Sequence, residues 1–457
     1  MLESGGPPLW LIVSGGLAMV VTAVAVLARL DRARLVVAVM LFASSIAVIK
    51  DWRGRPQSTW IMPIQESRSW IVLAAGVLLW IAATGNMRRI SLRHIAAPAA
   101  LMLAAALYAG LLQFVHAGST TAVQTIGFAL ATIAPLALVA PALMADCDGR
   151  ARMIRVIIAA NLVWLGVLVV QLIVNPDAVT QGRSARLYGL TGNPQHTGVM
   201  MAFFALIALW SALNGATRRA FVLSSLLLAV NLLMLLWTGS RTAGGMFVVG
   251  SMVILRHRLG RAILLLPLAG LLLYALLTIA GGDIAMHSER LLSTANTRAT
   301  SWRGLLDSAS RNPLFGVGEV ETLSSENSYL YAASAYGVFM VALFVLVAIT
   351  SARIGFRLFW LRSRLADHDL PYVDLVLAGL AMYFAGSILE GYMMSRVSVP
   401  LVMLILFSSL GVEISRAAHR EPLFDEIEPY EQDLMESTPW PDDDAGSAWG
   451  AITPSQY

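Results

Sequence analysis

Polar and apolar positions along this chain separate into long blocks. Runs of about 20 predominantly apolar residues recur through most of its length, each long enough to cross a hydrocarbon core about 30 Å thick. Within a run the apolar residues are continuous rather than alternating, which predicts helices and not the strands of a barrel. The blocks predict spans over 9–28, 34–50, 70–86, 95–115, 120–144, 154–174, 197–214, 219–238, 242–256, 262–281, 328–352, 372–391 and 397–414. That makes thirteen crossings, or twelve if one early segment is re-entrant or interfacial. The expected fold is an all-α, polytopic transmembrane helix bundle. It divides into N-terminal transmembrane helices (1–149), a transmembrane core (150–414) and a tail (415–457).

The polar segments between the blocks orient the bundle. Loops after the odd-numbered spans, with the start of the tail, hold twenty of the 32 basic residues, among them Arg34, Arg150, Arg256, Arg362 and Arg416. An excess of positive charge marks the cytoplasmic side. The N-terminus is therefore expected outside and the C-terminus in the cytoplasm. The opening MLESGGPPLW lacks a basic n-region, so Trp10 onward is expected to be a retained first span. The tail, containing EPLFDEIEPYEQDLMESTPWPDDDAG, is acidic and proline-punctuated and reads as disordered. One external loop, 282–327, is far longer than its neighbours. Such a loop is commonly functional. Inside it an amphipathic helix is expected from about Thr300 to Ser310, with Trp302, Leu305, Leu306 and Ala309 on one face and Asn312-Pro313 as its stop.

Composition narrows the function classes. With 57% hydrophobic and 13% charged residues in 457, the chain is far from a soluble domain. The net charge of +4 is what basic cytoplasmic loops supply, and no basic tract with interleaved aromatics suggests nucleic acid. A single cysteine, Cys147, excludes an internal disulfide and any cysteine-based metal site. No His/Asp/Glu spacing resembles a metal site, and no cofactor motif is present.

The twelve basic residues outside are unevenly spread. Lys50, Arg53, Arg55 and Arg68 suit lipid-headgroup contact, whereas Arg186, Arg241, Arg298 and Arg303 lie in or beside segments with other polar groups. Arginine near membrane depth costs about 2.5–3.5 kcal/mol on insertion scales, so it calls for a partner. Its planar fork suits phosphate oxygens. Converging arginines outside a bilayer would suit a lipid-linked diphosphate. The alternative is a set of structural pairs with loop carboxylates such as Asp283, Glu289, Asp307, Glu319 and Glu321. Glu390, near the outer end of span twelve, either snorkels to water or lines a cavity with Arg396.

Three segments carry a family resemblance: Arg186-x-x-Gly189-x-x-x-Asn193-Pro194, Thr238-Gly239-Ser240-Arg241, and Asn312-Pro313-Leu314-Phe315-Gly316-Val317-Gly318 followed by Glu326-Asn327-Ser328-Tyr329-Leu330 and Tyr336-Gly337. In order and spacing, over about 150–350, they resemble the O-antigen ligase and O-antigen polymerase superfamily. These are membrane glycosyltransferases that use undecaprenyl-diphosphate-linked glycans on the outer face of the bacterial inner membrane. The resemblance implies a metal-independent, inverting transfer with Arg186 and Arg241 on the donor diphosphate and Arg298 or Arg303 as a third contact. Asn193, His196, Asn327 and Tyr329 would lie near substrate. Ligases of the family often carry His-Asn where this chain has Glu326-Asn327, which favours a polymerase. Glu326 is then the expected base for the acceptor hydroxyl, although it also stands where a helix cap would. His287 is a reserve base.

Polymerisation of lipid-linked repeat units is the expected activity, and transfer to a lipid or protein acceptor the second. Partners would be the lipid-linked donor, a glycan or lipid acceptor, and a chain-length regulator or envelope-assembly proteins. Two readings of other classes stand beside these. A transporter or flippase would need a polar midplane pathway, of which the spans show little. A scaffold would act through its acidic tail.

Overall fold

The computed structural model describes residues 31–49, 59–85, 94–181, 186–260, 298–322, 326–394 and 397–420. Expected spans 9–28 and 262–281, the acidic tail, Arg183, His287, Arg290 and Arg396 lie outside them. The chain is an all-α polytopic bundle of thirteen longer helices in the described residues. These are α1 (Arg32–Ser44), α2 (Met62–Gly85), α3 (Ala97–His116), α4 (Ser119–Leu143), α5 (Cys147–Val174), α6 (Pro194–Asn214), α7 (Arg218–Thr238), α8 (Arg241–Leu259), α9 (Arg298–Arg311), α10 (Ser328–Tyr336), α11 (Val338–Leu361), α12 (Leu370–Ser387) and α13 (Val399–Arg420). The described strands are one small antiparallel pair, Thr180–Gln181 with Arg186–Leu187.

Nine of these helices are long and apolar enough to cross a membrane. α6 and α13 are the most enclosed, and α7 and α11 the least. Side chains cap the polar ends: Asp146 accepts the Gly149 N–H, Thr217 accepts the Ala220 N–H and Ser240 accepts the Ala243 N–H. Each cap satisfies a backbone donor that the first helical turn leaves open.

Three expected spans are corrected. The block 34–50 is not one helix, because α1 has 13 residues and reaches about 20 Å. The chain continues to Ile49 without helix, with Ile46 and Ile49 buried. There the Ala47 N–H donates to the Leu190 carbonyl (2.8 Å), and the Trp164 indole donates to the Ser45 carbonyl (3.1 Å). Protein groups thus satisfy this buried, non-helical backbone. The block 328–352 is two helices, broken at Gly337 (φ 78°). The block 372–391 ends at Ser387, leaving Glu390 in the irregular segment beyond. α8 forms a helix over the expected span 242–256 and packs on α12 and α6, but it is not one of the nine long and apolar enough to cross a membrane.

The bundle has two unlike poles. At one, helix ends rich in arginine are tied by ion pairs. Arg150 meets Asp369, both buried, while Asp374 takes Arg256 (2.6 Å) and Arg362 (2.7 Å). Arg34 donates to the Leu143 carbonyl at 2.5 Å. These bonds join loops that the charge pattern assigns to one side. The opposite pole gathers the starts of α6, α8, α10 and α13 with the irregular segments 45–49, 188–193 and 388–394.

Candidate functional site

Arg186 lies in the second strand of the small hairpin, where the Tyr188 N–H donates to the Val179 carbonyl (2.7 Å). It is buried, and its Nε donates to the Thr238 carbonyl at the end of α7 (2.8 Å). Thr238-Gly239-Ser240 then turns into α8, whose first residue is Arg241. A methyl group on Gly198 of α6 would stand 2.7 Å from Ser240 Cβ, so α6 presses on this turn with no room for a side chain. Two of the expected arginines are thus held at one turn.

Arg298, the first residue of α9, arrives from the long loop. Its guanidinium donates to Glu390 Oε1 (2.8 Å) and to the Thr242 hydroxyl (2.8 Å), and Thr242 donates to the same carboxylate oxygen (3.0 Å). Glu390 is only 6% exposed. Burial pushes its carboxyl up to about 7, against the lowering pull of Arg298 and the Thr242 hydroxyl; the charge of Glu326 adds to the rise. Glu390 is thus paired with Arg298; the expected pairing with Arg396 lies outside the described residues.

Glu326 stands one residue before Asn327, the N-cap of α10. One of its carboxylate oxygens, Oε2, is buried without a hydrogen-bond partner among the described residues. Capping of α10 falls to Asn327 instead, whose Oδ1 accepts from the Tyr329 and Leu330 N–H groups (both 2.9 Å). The Asn327 Nδ2 donates to the Ile388 carbonyl (2.6 Å). Asn327 therefore spends both ends of its amide on structure. Ser328 donates to the Glu390 carbonyl (2.6 Å), which fixes the Glu390 backbone to α10.

Other expected contacts fall elsewhere. Arg303 is exposed on α9 and takes no part in the Glu390 cluster. Five residues turn a helix by about 140° relative to Arg298, which separates the two side chains. α9 is amphipathic as expected and buries Leu305, but Leu306 is 54% exposed. Asn193 caps α6, accepting the Gln195 N–H (2.8 Å). His196, one turn on, lines a neighbouring cavity of about 70 Å³ with Arg68, Ser45, Thr191, Tyr392 and Ser398. Arg68, expected at headgroups, donates to the Ile46 carbonyl (2.8 Å). The Tyr329 ring packs edge-on against Phe344.

Sequence reasoning missed Thr242 and a second polar cluster around Tyr336. The Tyr336 hydroxyl donates to Glu319, while Thr125 donates to Gln113 (2.7 Å) beside it. Burial and the charge of Glu319 push Tyr331 up to about 12 and raise Tyr336 as well. The one signal for Thr242 in the sequence is that it directly follows the segment Thr238-Gly239-Ser240-Arg241. Among the described residues no three His, Cys, Asp or Glu side chains converge as metal ligands would.

The arrangement offers phosphate-type anions three arginines and three helix N-termini, those of α6, α8 and α10. Helix starts carry partial positive charge and open N–H groups. It also offers one buried carboxylate oxygen, that of Glu326, without a hydrogen-bond partner among the described residues. In sequence comparison the chain matches no protein-family model and no curated protein.

Proposed function

We propose that the protein is an inverting, metal-independent glycosyltransferase that polymerises undecaprenyl-diphosphate-linked glycan units on the outer face of the bacterial inner membrane. The observation that carries this reading is the convergence at one pole of Arg298, Thr242 and Glu390 with a Glu326 oxygen that has no hydrogen-bond partner among the described residues. Arg186 and Arg241 stand at the adjoining turn. The resemblance of three segments to the O-antigen ligase and polymerase superfamily adds the reaction class.

In this reading the acceptor hydroxyl oxygen attacks the anomeric carbon and its proton passes to Glu326. The bond from that carbon to the phosphate oxygen breaks, and the diphosphate leaves with the electron pair. Arg186, Arg241 and Arg298 hold the departing charge, which is where such a transfer most needs stabilisation. The donor lipid enters between helices, with α9 over the site.

Glycan transfer by the purified protein in detergent, with EDTA present and a native lipid-linked glycan as donor, tests the reading. Wild type should give elongated lipid-linked product. Glu326→Gln should lose about 10²–10⁴-fold in rate, the usual worth of a general base. Arg241→Ala should lose about 10²–10³-fold. Full activity in Glu326→Gln would remove the base assignment and bring His196 and His287 forward. Absence of turnover with every lipid-linked donor and acceptor would overturn the enzyme reading in favour of a transporter or scaffold.

A further inference from the structure

Glu390 has no part in the chemistry just described, yet it is the residue to which Arg298 is bound. Its carboxylate is faced by Arg298 from α9, Thr242 from α8, Glu326 from the turn before α10 and, just beyond, the Tyr392 hydroxyl. Its backbone is pinned, because Ser328 Oγ donates to the Glu390 carbonyl and accepts from the Met393 N–H (3.3 Å). Thr242 bridges the pair, touching both the guanidinium and the carboxylate. Arg298 is therefore fixed in place, with part of its fork committed to a carboxylate.

A diphosphate drawn to this arginine would set its charge beside two carboxylates, Glu390 and Glu326. Like charges at such distances in a poorly solvated site cannot all stay ionised. Glu390 is the group able to yield. Once protonated it releases the guanidinium, and its hydroxyl becomes a donor that a phosphate oxygen accepts. We propose that Glu390 is the exchangeable counter-ion of Arg298, a positioning residue that hands the arginine to a diphosphate diester and takes up one proton from solvent as it does so. This rests on the reading that the site receives a lipid-linked diphosphate. Burial already brings the empty site to the edge of that exchange, with the carboxyl at about 7.

Calorimetric titration of the full-length protein in detergent tests the exchange, with a short-chain prenyl diphospho-sugar as probe. Such a diester does not titrate between about pH 6 and 8.5, so every proton counted in buffers of different ionisation enthalpy belongs to the protein. Wild type should take up close to one proton per ligand at about pH 8 and almost none at about pH 5.5. Its affinity should fall up to about tenfold per pH unit above neutrality. Glu390→Gln, nearly isosteric, should bind with no uptake and a flat pH profile, while Arg298→Ala should weaken binding at every pH. Binding by wild type without uptake overturns the inference and leaves the glycosyltransferase reading intact; this needs no variant to fold. Equal uptake in folded Glu390→Gln also overturns it. Uptake with inorganic pyrophosphate, beyond what the pyrophosphate itself binds, but not with the diester overturns it in favour of a free anion. A diester that binds at no pH removes the glycosyltransferase reading and the inference together.

Discussion

Glu390 shares one carboxylate oxygen between Arg298 and Thr242, three residues beyond α12, and this makes the stability of the empty protein depend on pH. Its folded carboxyl is raised from 4.5 to about 7. The stabilisation that goes with the proton is full below the unfolded value and is lost as pH rises through about 7. At 1.36 kcal/mol per unit the whole effect is at most about 3 kcal/mol. Thermal melts in detergent should therefore shift down between about pH 5 and 8 in wild type, and Glu390→Gln should remove that component. A wild-type melting temperature that climbs across the same window would contradict the assignment. Arg186, Arg241 and Arg298 were recognisable from sequence because charge is rare beside apolar blocks. The partner of Arg298 was not, since 92 residues separate it from Glu390 and only the fold brings them together. Arg303 shares a helix with Arg298 but is exposed and apart from the Glu390 cluster.

At the scale of elements, the segment Asn312–Gly318 is a latch on α10. The Val317 and Gly318 N–H groups donate to the Ser334 and Ala335 carbonyls (2.8 and 3.0 Å), and the Val338 N–H donates to the Pro313 carbonyl (2.9 Å). Gly316 (φ 71°) and Gly337 (φ 78°) make this possible, because a Cβ on either would collide with the facing backbone. Much of the third resembling segment thus acts structurally, holding α10 and Glu326 at their level. Gly316→Ala should cost about 1–3 kcal/mol from the left-handed backbone alone, and more from the collision. It should lower the melting temperature and slow transfer together, whereas Glu326→Gln should slow transfer without lowering it. Equal stability of Gly316→Ala and wild type would refute the latch. Hydropathy revealed nearly every described span, since burial in lipid depends on apolar composition. It was blind to the break at Gly337, where an apolar run continues through a left-handed glycine.

At the scale of the whole molecule, the two poles make orientation measurable. Cys147 is the sole cysteine in the sequence and is exposed at the start of α5, on the arginine-rich pole. If that pole faces the cytoplasm, a membrane-impermeant maleimide should label inverted vesicles and leave spheroplasts unlabelled. Labelling of spheroplasts would reverse the orientation and move the proposed site to the inside. The short α1 has a consequence for biogenesis. Its extended continuation leans on Trp164 and on the backbone at Leu190, so about 140 further residues must be made before these contacts exist. At roughly 5–20 residues per second the nascent chain waits about 7–30 s with that backbone unsatisfied. Ribosome-arrested chains ending before Leu190 should leave residues 45–49 open to chemical probing, and longer ones should shield them. This part of the protein is thus inserted on credit, and α1, the earliest helix among the described residues, becomes a stable resident of the membrane only when its later neighbours arrive.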